Sequence, residues 1–573
     1  MPDFTLLSRR ALLLAASAAL PLLSQAQSSP VWQQVRRTTT TSTTTRALPT
    51  NSGGALKTDG AGNVYVTNSY QGTIELGGST LTSTEPNAYV AKYNDAGTLL
   101  WARNVQEAAQ PAGVTALALD ATGNVYLTGS FAATMALGTS TLTEPLGSSF
   151  LAKLDTQGNP VWLQAIGRSG ASSGYNTSSP AGLGVDGNGN ILVAGTYTGT
   201  VDMGGTTLTS VLGATADGSS RNTQDFFIAK YNAQAGLVWA RSEGGTGEDW
   251  AGALAADAAG NAYVAGGIEG PVTIGGTTLS GTPNNLDGFA AKYSAGGSPT
   301  WVSLMPTSIR SLGLDNARSL AIDNAGNVAV GGFVEDGSVV GNYLKAYLVH
   351  FTAQGTSDWH HLATGTMSYP GSVAIDEFGN SYFSSRFLRA VGMGLVTVSA
   401  VPTNNTLNPA LAVFSFTPQG TVRWTQQSND VGAVYPAPQG LALNSAGQLY
   451  VAGTLAGLIG FGNLAMPTSR GNQETFFARL SSVTTGTRSG RQLAPLAVYP
   501  SPARQLATVR LPAGREAGHL TVRDALGRMV QTVPYAATAT ELPLSVAGLA
   551  QGVYHVQAVA ANGATAAGRL LVE

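Results

Sequence analysis

A phrase that recurs seven times constrains this chain more than any other feature. It consists of an apolar strand, a tight turn of the form Asp-x-x-Gly-Asn and a second apolar strand. The turn opens with Asp in six copies and with Asn in the last: Asp59, Asp120, Asp186, Asp257, Asp323, Asp376 and Asn444. The copies follow one another at intervals of 53 to 71 residues. Self-similarity at a nearly fixed period is typical of repeat architectures.

The second copy shows how one repeat is built. Residues 114–119 alternate as a strand, Asp120 opens the turn, and residues 125–129 form the return strand. The Asp side chain caps such a turn, and its Gly adopts the left-handed backbone conformation. A third strand, a second turn at Asp155 and a fourth strand around Trp162 complete the copy. Four antiparallel strands per repeat predict the blade of a β-propeller. The predicted fold class is therefore all-β, with a seven-bladed propeller over residues 27–480.

A Trp near the start of the fourth strand marks six of the copies. The series is Trp101, Trp162, Trp239, Trp301, Trp359 and Trp424. The seventh copy has no such Trp after it, but Trp32 precedes the first copy. We expect the strand containing Trp32 to complete the last blade and close the ring. Closure removes the exposed strand edges that an open array would carry.

The repeated phrase resembles the SBBP family of β-propeller repeats. The match is clearest between Gly244 and Gly266, where a Gly-Gly-Thr-Gly-Glu-Asp-Trp segment precedes the turn at Asp257. The resemblance covers roughly residues 30–480 and implies a propeller. It implies no particular function, because one fold serves many functions.

Residues 1–26 are predicted to be an export signal. Arg9 and Arg10 precede an apolar run over 11–23 that is too short to span a bilayer, and small residues lead up to cleavage after Ala26. A membrane anchor is the alternative, and the residues leave the general and twin-arginine export routes open. No other segment is long and apolar enough to predict a transmembrane helix. The Thr-rich segment 37–46 and the segment 481–492 are predicted linkers.

The last residues, 493–573, follow a different pattern, which predicts a small immunoglobulin-like β-sandwich. Its motifs are Tyr-Pro-Ser-Pro from Tyr499, Asp-Ala-Leu-Gly-Arg from Asp524, and Leu-Ala-Gln-Gly-Val-Tyr from Leu549. In this order they resemble the C-terminal sorting domain of the type IX secretion system, with Ser501 where the family usually has Asn. The resemblance implies a diderm bacterium, passage through the periplasm, and export by the type IX machinery to the cell surface or the medium. A retained adhesive module is the alternative.

Composition excludes several classes of partner and site. The formal net charge is −2, so no basic field attracts nucleic acid. The chain has no Cys, which excludes disulfides and thiolate metal sites. No cofactor is predicted. Calcium is the open alternative, because Asp186, Asn188 and Asn190 resemble the start of a calcium loop, although Tyr197 stands where the bidentate Glu belongs.

Three acids are the candidates for chemistry. Asp249 and Asp315 each precede a turn Asp by eight residues, at the loop that enters the first strand of a repeat, and Glu248 is next to Asp249. Such loops line one mouth of a propeller channel, where paired carboxylates serve in acid–base catalysis. Solvated loop acids are the alternative interpretation.

The predicted function is non-catalytic. We expect a secreted or cell-surface propeller that binds a glycan, polymer or protein, or that serves as a scaffold. The alternative is a secreted hydrolase or lyase that acts on polysaccharide through Glu248, Asp249 and Asp315. A purely structural spacer is a third possibility, favoured if no loop face carries an aromatic or charged cluster.

Overall fold

A computed structural model describes residues 30–37, 39–40, 46–48, 56–107, 113–169, 176–214, 220–283, 285–310, 314–336, 343–365, 367–399, 409–430, 436–455, 459–464, 474–482, 494–511, 518–523, 529–560 and 565–573. These residues form strands and turns, together with one short helix, Thr307–Arg310. The prediction of an all-β chain is confirmed. The predicted signal peptide, 1–26, lies outside the described residues. The chain divides into two compact units, residues 1–485 and 486–573.

Among the described residues of the first unit, seven sets of four antiparallel strands follow one another, six as four-stranded sheets and the first within an eight-stranded sheet. We call each set a sheet; its strands are hydrogen-bonded in the order first, second, third and fourth. Sheet 1 contains Leu56–Thr58, Val64–Leu76, Ser79–Tyr93 and Leu99–Glu107; sheet 2, Gly113–Leu119, Val125–Phe131, Ser148–Leu154 and Pro160–Ile166; sheet 3, Thr177–Val185, Ile191–Thr198, Gln224–Tyr231 and Leu237–Glu243; sheet 4, Trp250–Ala256, Ala262–Glu269, Leu286–Tyr293 and Pro299–Leu304; sheet 5, Asp315–Ile322, Val328–Asp336, Tyr343–Phe351 and Ser357–Leu362; sheet 6, Ser368–Ile375, Ser381–Phe387, Ala410–Phe416 and Val422–Gln427; sheet 7, Ala437–Leu443, Gln448–Leu455, Glu474–Ser482 and Trp32–Arg37.

Further short strands either extend sheet 1 or form small separate sheets of two or three strands. Sheet 1 is extended by a hairpin of Thr134–Leu137 and Ser140–Thr143, and its second strand also pairs with Thr39–Thr40 and Arg46–Leu48. Part of the predicted linker 37–46 is therefore strand. The other short strands are Arg168–Ser169, Thr200–Asp202, Thr207–Thr209, Leu212–Ala214, Ser220–Asn222, Pro271–Ile274, Thr277–Ser280, Thr364–Gly365, Ala390–Met393, Val396–Ser399, Asn429–Asp430 and Ile459–Gly460. Ser481 and Ser482 end a strand of sheet 7, and the rest of the predicted linker 481–492 lies outside the described residues.

The hydrophobic core of the first unit lies between neighbouring sheets. Leu151 of sheet 2, for example, shares one apolar cluster with Leu183 and Phe227 of sheet 3. Each such side chain contributes about 1.5–3 kcal/mol by leaving water. The first strand of each sheet contacts the first strand of the next, and that of sheet 7 contacts that of sheet 1. Tyr450 of sheet 7 and Tyr89 of sheet 1 accordingly share a cluster.

The fourth-strand Trp residues join one sheet to the next. Four of them donate an indole N–H, at 2.8–3.1 Å, to a carbonyl in the turn between the third and fourth strands of the following sheet: Trp101 to Thr156, Trp239 to Ala295, Trp301 to Ala353 and Trp359 to Pro418. The indole lies against a Gly of that turn. At Gly158, for example, φ is +78°, and an added Cβ would lie 2.7 Å from the Trp101 ring. The left-handed conformation and the close approach both require Gly here.

Sheet 7 obtains its fourth strand from the N-terminal side of the chain, since Trp32–Arg37 pairs antiparallel with Glu474–Ser482. Within this strand the position of the Trp series is occupied by Gln34, not by Trp32. Arg36 donates to the Gly97 carbonyl of sheet 1, as Arg103, two residues after Trp101, donates to Gly158. Trp32 lies two residues earlier and packs on Phe461, with a ring-centroid distance of 4.7 Å.

The second unit contains two sheets around a separate core. One sheet has the strand order Ala494–Pro495, Thr565–Val572, Gly552–Ala560, Gly518–Arg523 and Met529–Tyr535; the other has the order Ala497–Tyr499, Leu506–Arg510 and Glu541–Ser545. Leu520, Val556 and Leu570 of the first sheet share one buried cluster with Val509 and Leu544 of the second. The two sheets therefore pack face to face.

Candidate functional site

The carboxylate oxygens of the turn acids accept hydrogen bonds from groups of their own turns, as Asp120 shows. Asp120 Oδ1 accepts the backbone N–H groups of Thr122 and Asn124, and its Oδ2 accepts the Asn124 amide at 2.8 Å and the Tyr126 hydroxyl at 3.2 Å. Burial raises the pKa of Asp120, but these hydrogen bonds outweigh it, so the pKa lies below its usual value. Lys153 lies over the Tyr126 ring, 5.0 Å from the centroid. The repeated acid thus stabilises the hairpin.

The three residues considered for calcium form the same kind of turn. Asp186 Oδ1 accepts the backbone N–H groups of Asn188 and Asn190, and its Oδ2 accepts the Asn190 amide. Lys230 also reaches this oxygen, with its ammonium nitrogen 3.0 Å away. The Lys230 ammonium group therefore already pairs with this carboxylate. Over the described ranges, no group of three or more His, Asp and Glu side chains is arranged to hold a metal ion.

Asp249 lies immediately before the first strand of sheet 4 and is 0% exposed. Its two carboxylate oxygens accept backbone N–H groups, Oδ2 from Gly245 at 2.6 Å and Oδ1 from Glu269 at 3.0 Å. Burial raises the pKa of Asp249 to about 6, and repulsion from Glu269 and Glu248 acts in the same direction. This acid is enclosed between sheets 3 and 4, since its own N–H also donates to the Gln224 carbonyl of sheet 3.

Glu248 links two sheets through backbone groups. Its Oε2 accepts the Gln224 N–H of sheet 3 at 3.0 Å, and its own N–H donates to Glu269 Oε2 of sheet 4 at 3.0 Å. The side chain is half-buried. Of the three predicted acids, Glu248 and Asp249 are therefore neighbours in space as well as in sequence.

Asp315 lies in the next interface. It is the first residue of sheet 5, is 0% exposed, and accepts the Gly288 N–H of sheet 4 at 3.1 Å. Burial raises the pKa of Asp315 to about 7, and the nearby Asp287 adds repulsion. The hydrogen bonds of Asp315 thus connect sheets 4 and 5, and those of Glu248 connect sheets 3 and 4. Both acids bridge neighbouring sheets.

Two further enclosed acids were not among the candidates predicted from the sequence. Asp225 and Asp287 occupy matching positions in the third strands of sheets 3 and 4, and both are 0% exposed. Asp225 accepts the Val211 N–H at 2.9 Å, and burial raises its pKa to about 7, helped by Asp249 and Glu248. Asp287 lies 3.5 Å from the Arg310 guanidinium. The signal in the sequence is an acid one or two residues before a Phe of an apolar strand.

Comparison with known families identifies the C-terminal part of the chain. Residues 497–573 match the secretion system C-terminal sorting domain. The prediction of a sorting domain is confirmed over this range. A type IX tail of this kind implies interaction with that secretion machinery and export to the cell surface or the medium. Within the part of the chain that the structure describes, no helix is long and apolar enough to cross a membrane.

Two solved structures resemble the chain distantly. A luciferin-regenerating enzyme is 11% identical, with a TM-score of 0.32, over 77% of this chain and 95% of that one. A gluconolactonase from Xanthomonas campestris is 12% identical, with a TM-score of 0.26, over 66% of this chain and 100% of that one. Likenesses this weak assign neither a fold nor an activity. No curated protein matches the chain.

Proposed function

We propose that the seven sheets are the blades of a closed β-propeller of the SBBP repeat type and that the second unit is an immunoglobulin-like sandwich. The propeller is supported by the shared strand order of the seven sheets and by the cycle of contacts that returns from sheet 7 to sheet 1. Pairing of Trp32–Arg37 with Glu474–Ser482 supports closure by the N-terminal strand. Two sheets around one core support the sandwich.

This propeller acts as a non-catalytic binding or scaffold protein outside the cell. A signal over residues 1–26 starts its export, and the unit from about residue 493 onward directs it through the type IX machinery. The observation that carries the non-catalytic function is the state of the candidate acids. Asp249 and Asp315 have no exposed surface: they accept the backbone N–H groups of Gly245, Glu269 and Gly288, and Asp315 lies beside the Tyr347 hydroxyl. A carboxyl group enclosed in this way does not reach a polymer.

A polysaccharide hydrolase or lyase is the second candidate. It is favoured by the raised pKa values of Asp225 and Asp249, about 7 and about 6, which suit proton transfer near neutral pH. Half-buried Glu248 gives this group of acids its contact with the surface. Catalysis would require the loop around residues 244–248 to move and admit a substrate.

A matrix array that reads binding and cleavage in the same wells separates the two functions. The full chain is applied to polysaccharides and extracellular proteins, with and without calcium, and product length is measured after incubation. We expect binding without shortening of any polymer and no effect of calcium. Shortening that disappears in Asp249→Asn but persists in Asp257→Asn, a turn acid, would instead establish the enzyme.

A further inference from the structure

The first strands of sheets 2 to 7 share one irregularity, and it makes equivalent positions comparable across the sheets. In each of these first strands the register against the second strand shifts once, at a β-bulge that leaves one or two residues unpaired. We call the residue two places before the first bulged residue the entry position. In sheets 2, 3 and 7 the entry residue, its cross-strand partner and the bulged residue are all small or uncharged: Gly113, Ser130 and Thr115; Ser179, Thr196 and Ala181; Ala437, Thr454 and Gln439.

Sheets 4, 5 and 6 depart from this pattern together. Five large side chains occupy these positions on the three consecutive sheets: Trp250, Phe333, Arg318, Tyr369 and Arg386. We call them the aromatic–arginine patch. Sheets 2, 3 and 7 form the same strands and bulges without an aromatic residue or an arginine at these positions, so the architecture does not demand them. All five side chains are half-buried and therefore keep some contact with solvent.

Arg318 is held in a fixed position between two sheets. Its guanidinium lies 4.8 Å from the ring centroid of Trp250, across the interface with sheet 4, and 5.9 Å from that of Phe333. Its Nε donates to Asn316 Oδ1 at 2.6 Å. A guanidinium stacked on aromatic rings loses little further freedom when it binds an anion.

The indole beneath Arg318 is itself positioned by glycines. A Cβ added to Gly252 or Gly267 would come within 2.7 or 2.5 Å of the Trp250 ring. Only Gly at these two positions lets the indole lie against the sheet. At the equivalent positions sheet 2 has Thr115 and Ser130, and sheet 3 has Thr196 at one of the two. In sheet 6 the Arg386 guanidinium lies 4.0 Å from the Tyr369 ring centroid, directly across the strand pair. Two neighbouring sheets thus each present a stacked arginine.

We propose that the aromatic–arginine patch binds an acidic polysaccharide. This inference rests on the proposed function and names the ligand class of that binding protein. A guanidinium matches a carboxylate or a sulfate with two parallel N–H bonds, and two of them on adjacent sheets suit a polymer with repeated charges. Asn316 offers an amide to sugar hydroxyl groups, and the aromatic edges offer apolar contact to sugar C–H groups.

Binding is measured by calorimetric titration of the full chain with four probes. The probes are an oligogalacturonate, which carries carboxylates, a sulfated dextran, an unmodified dextran and a polyglutamate peptide. We expect binding of one or both acidic saccharides, weakened by salt, and no binding of neutral dextran. The first two probes distinguish the carboxylate from the sulfate as the recognised group.

Variants locate the site. Arg318→Gln and Arg386→Gln should each weaken binding by about tenfold, the loss expected when a hydrogen bond to a charged group is removed. Arg318→Lys should not restore it, because an ammonium lacks the planar face that stacks on Trp250. Lys57→Gln is the matched control, since it removes a cationic side chain from the first strand of sheet 1, outside the aromatic–arginine patch. It should bind as the unaltered chain does.

Each contrary outcome has a defined meaning. The patch assignment is overturned if neither acidic saccharide binds, if polyglutamate binds as well as they do, or if Lys57→Gln weakens binding as much as Arg318→Gln. Melting curves check each variant, and Arg386→Gln carries the test if Arg318→Gln does not fold. Binding of a different ligand without cleavage would leave the proposed function standing while this inference fails. Cleavage of a bound acidic saccharide would refute the non-catalytic function alone.

Discussion

Replacement of Asp315 by Asn should stabilise the protein at alkaline pH. The folded chain raises the pKa of this carboxyl from 3.8 to about 7 because the side chain is buried at the interface of sheets 4 and 5. Between those two pH values the folded state therefore holds a proton that the unfolded state has released. The stability associated with this proton is fully present below pH 4 and is lost as the pH rises to about 7.

The structure sets the size of the effect. A shift of about 3 pKa units corresponds to about 4 kcal/mol. Asn cannot ionise, and its carbonyl oxygen still accepts the Gly288 N–H. We therefore expect Asp315→Asn to equal the unaltered chain at pH 4 and to exceed its free energy of unfolding by up to about 4 kcal/mol at pH 8.

Urea unfolding followed by Trp fluorescence measures this difference. All eight Trp residues belong to the first unit, so the signal reports the seven sheets alone. Asp186→Asn is the contrast, because hydrogen bonds from Asn190 and Lys230 outweigh burial and lower the pKa of Asp186. That variant should lose stability at neutral pH and lose less in acid. The reasoning is refuted if Asp315→Asn shows the same pH dependence as the unaltered chain.

Three further changes test the packing and the export signal. Gly355→Ala should destabilise by about 1–3 kcal/mol more than Gly276→Ala in urea, because its Cβ would lie 2.5 Å from the Trp301 ring whereas nothing lies within 4 Å at Gly276, which has a similar φ. Deletion of residues 30–37 should lower the melting temperature sharply, since it removes the fourth strand of sheet 7; an unchanged melting curve would contradict closure by this strand. Deletion of residues 497–573 should retain the protein in the periplasm, and surface protease accessibility equal to that of the full chain would contradict the role of the sorting domain.

The repeat made much of the fold predictable. The turn acid, the Gly after it and the fourth-strand Trp recur in the sequence because they make the same local contacts in several sheets, as Asp120 and Trp101 show. The register of the N-terminal strand in sheet 7 was harder to predict. Trp32 satisfied the count of Trp residues, but the register is set by the contact of Arg36 with Gly97, which places Gln34 in the series. Such a long-range contact has no signature in the local sequence.

The burial of the candidate acids could not be predicted from the sequence either. The spacing placed Asp249 and Asp315 at the start of first strands, and that is where they lie. In the structure both are buried and accept backbone N–H groups, from Gly245 and Gly288, and the partner of Asp315 belongs to another sheet. The aromatic–arginine patch also required the structure, because the equivalence of its positions appears only once the bulges fix the register between strands.

Closure of the ring by the chain's own N-terminal strand is the claim on which the propeller assignment depends, and one disulfide tests it directly. Val35 and Ala478 are buried cross-strand partners, at a separation that a disulfide spans. The chain has no Cys of its own, so a bond in Val35→Cys/Ala478→Cys is unambiguous. We predict a disulfide within single molecules and a melting temperature above that of the reduced variant. Free thiols after oxidation, or disulfides only between molecules, would contradict the closed ring.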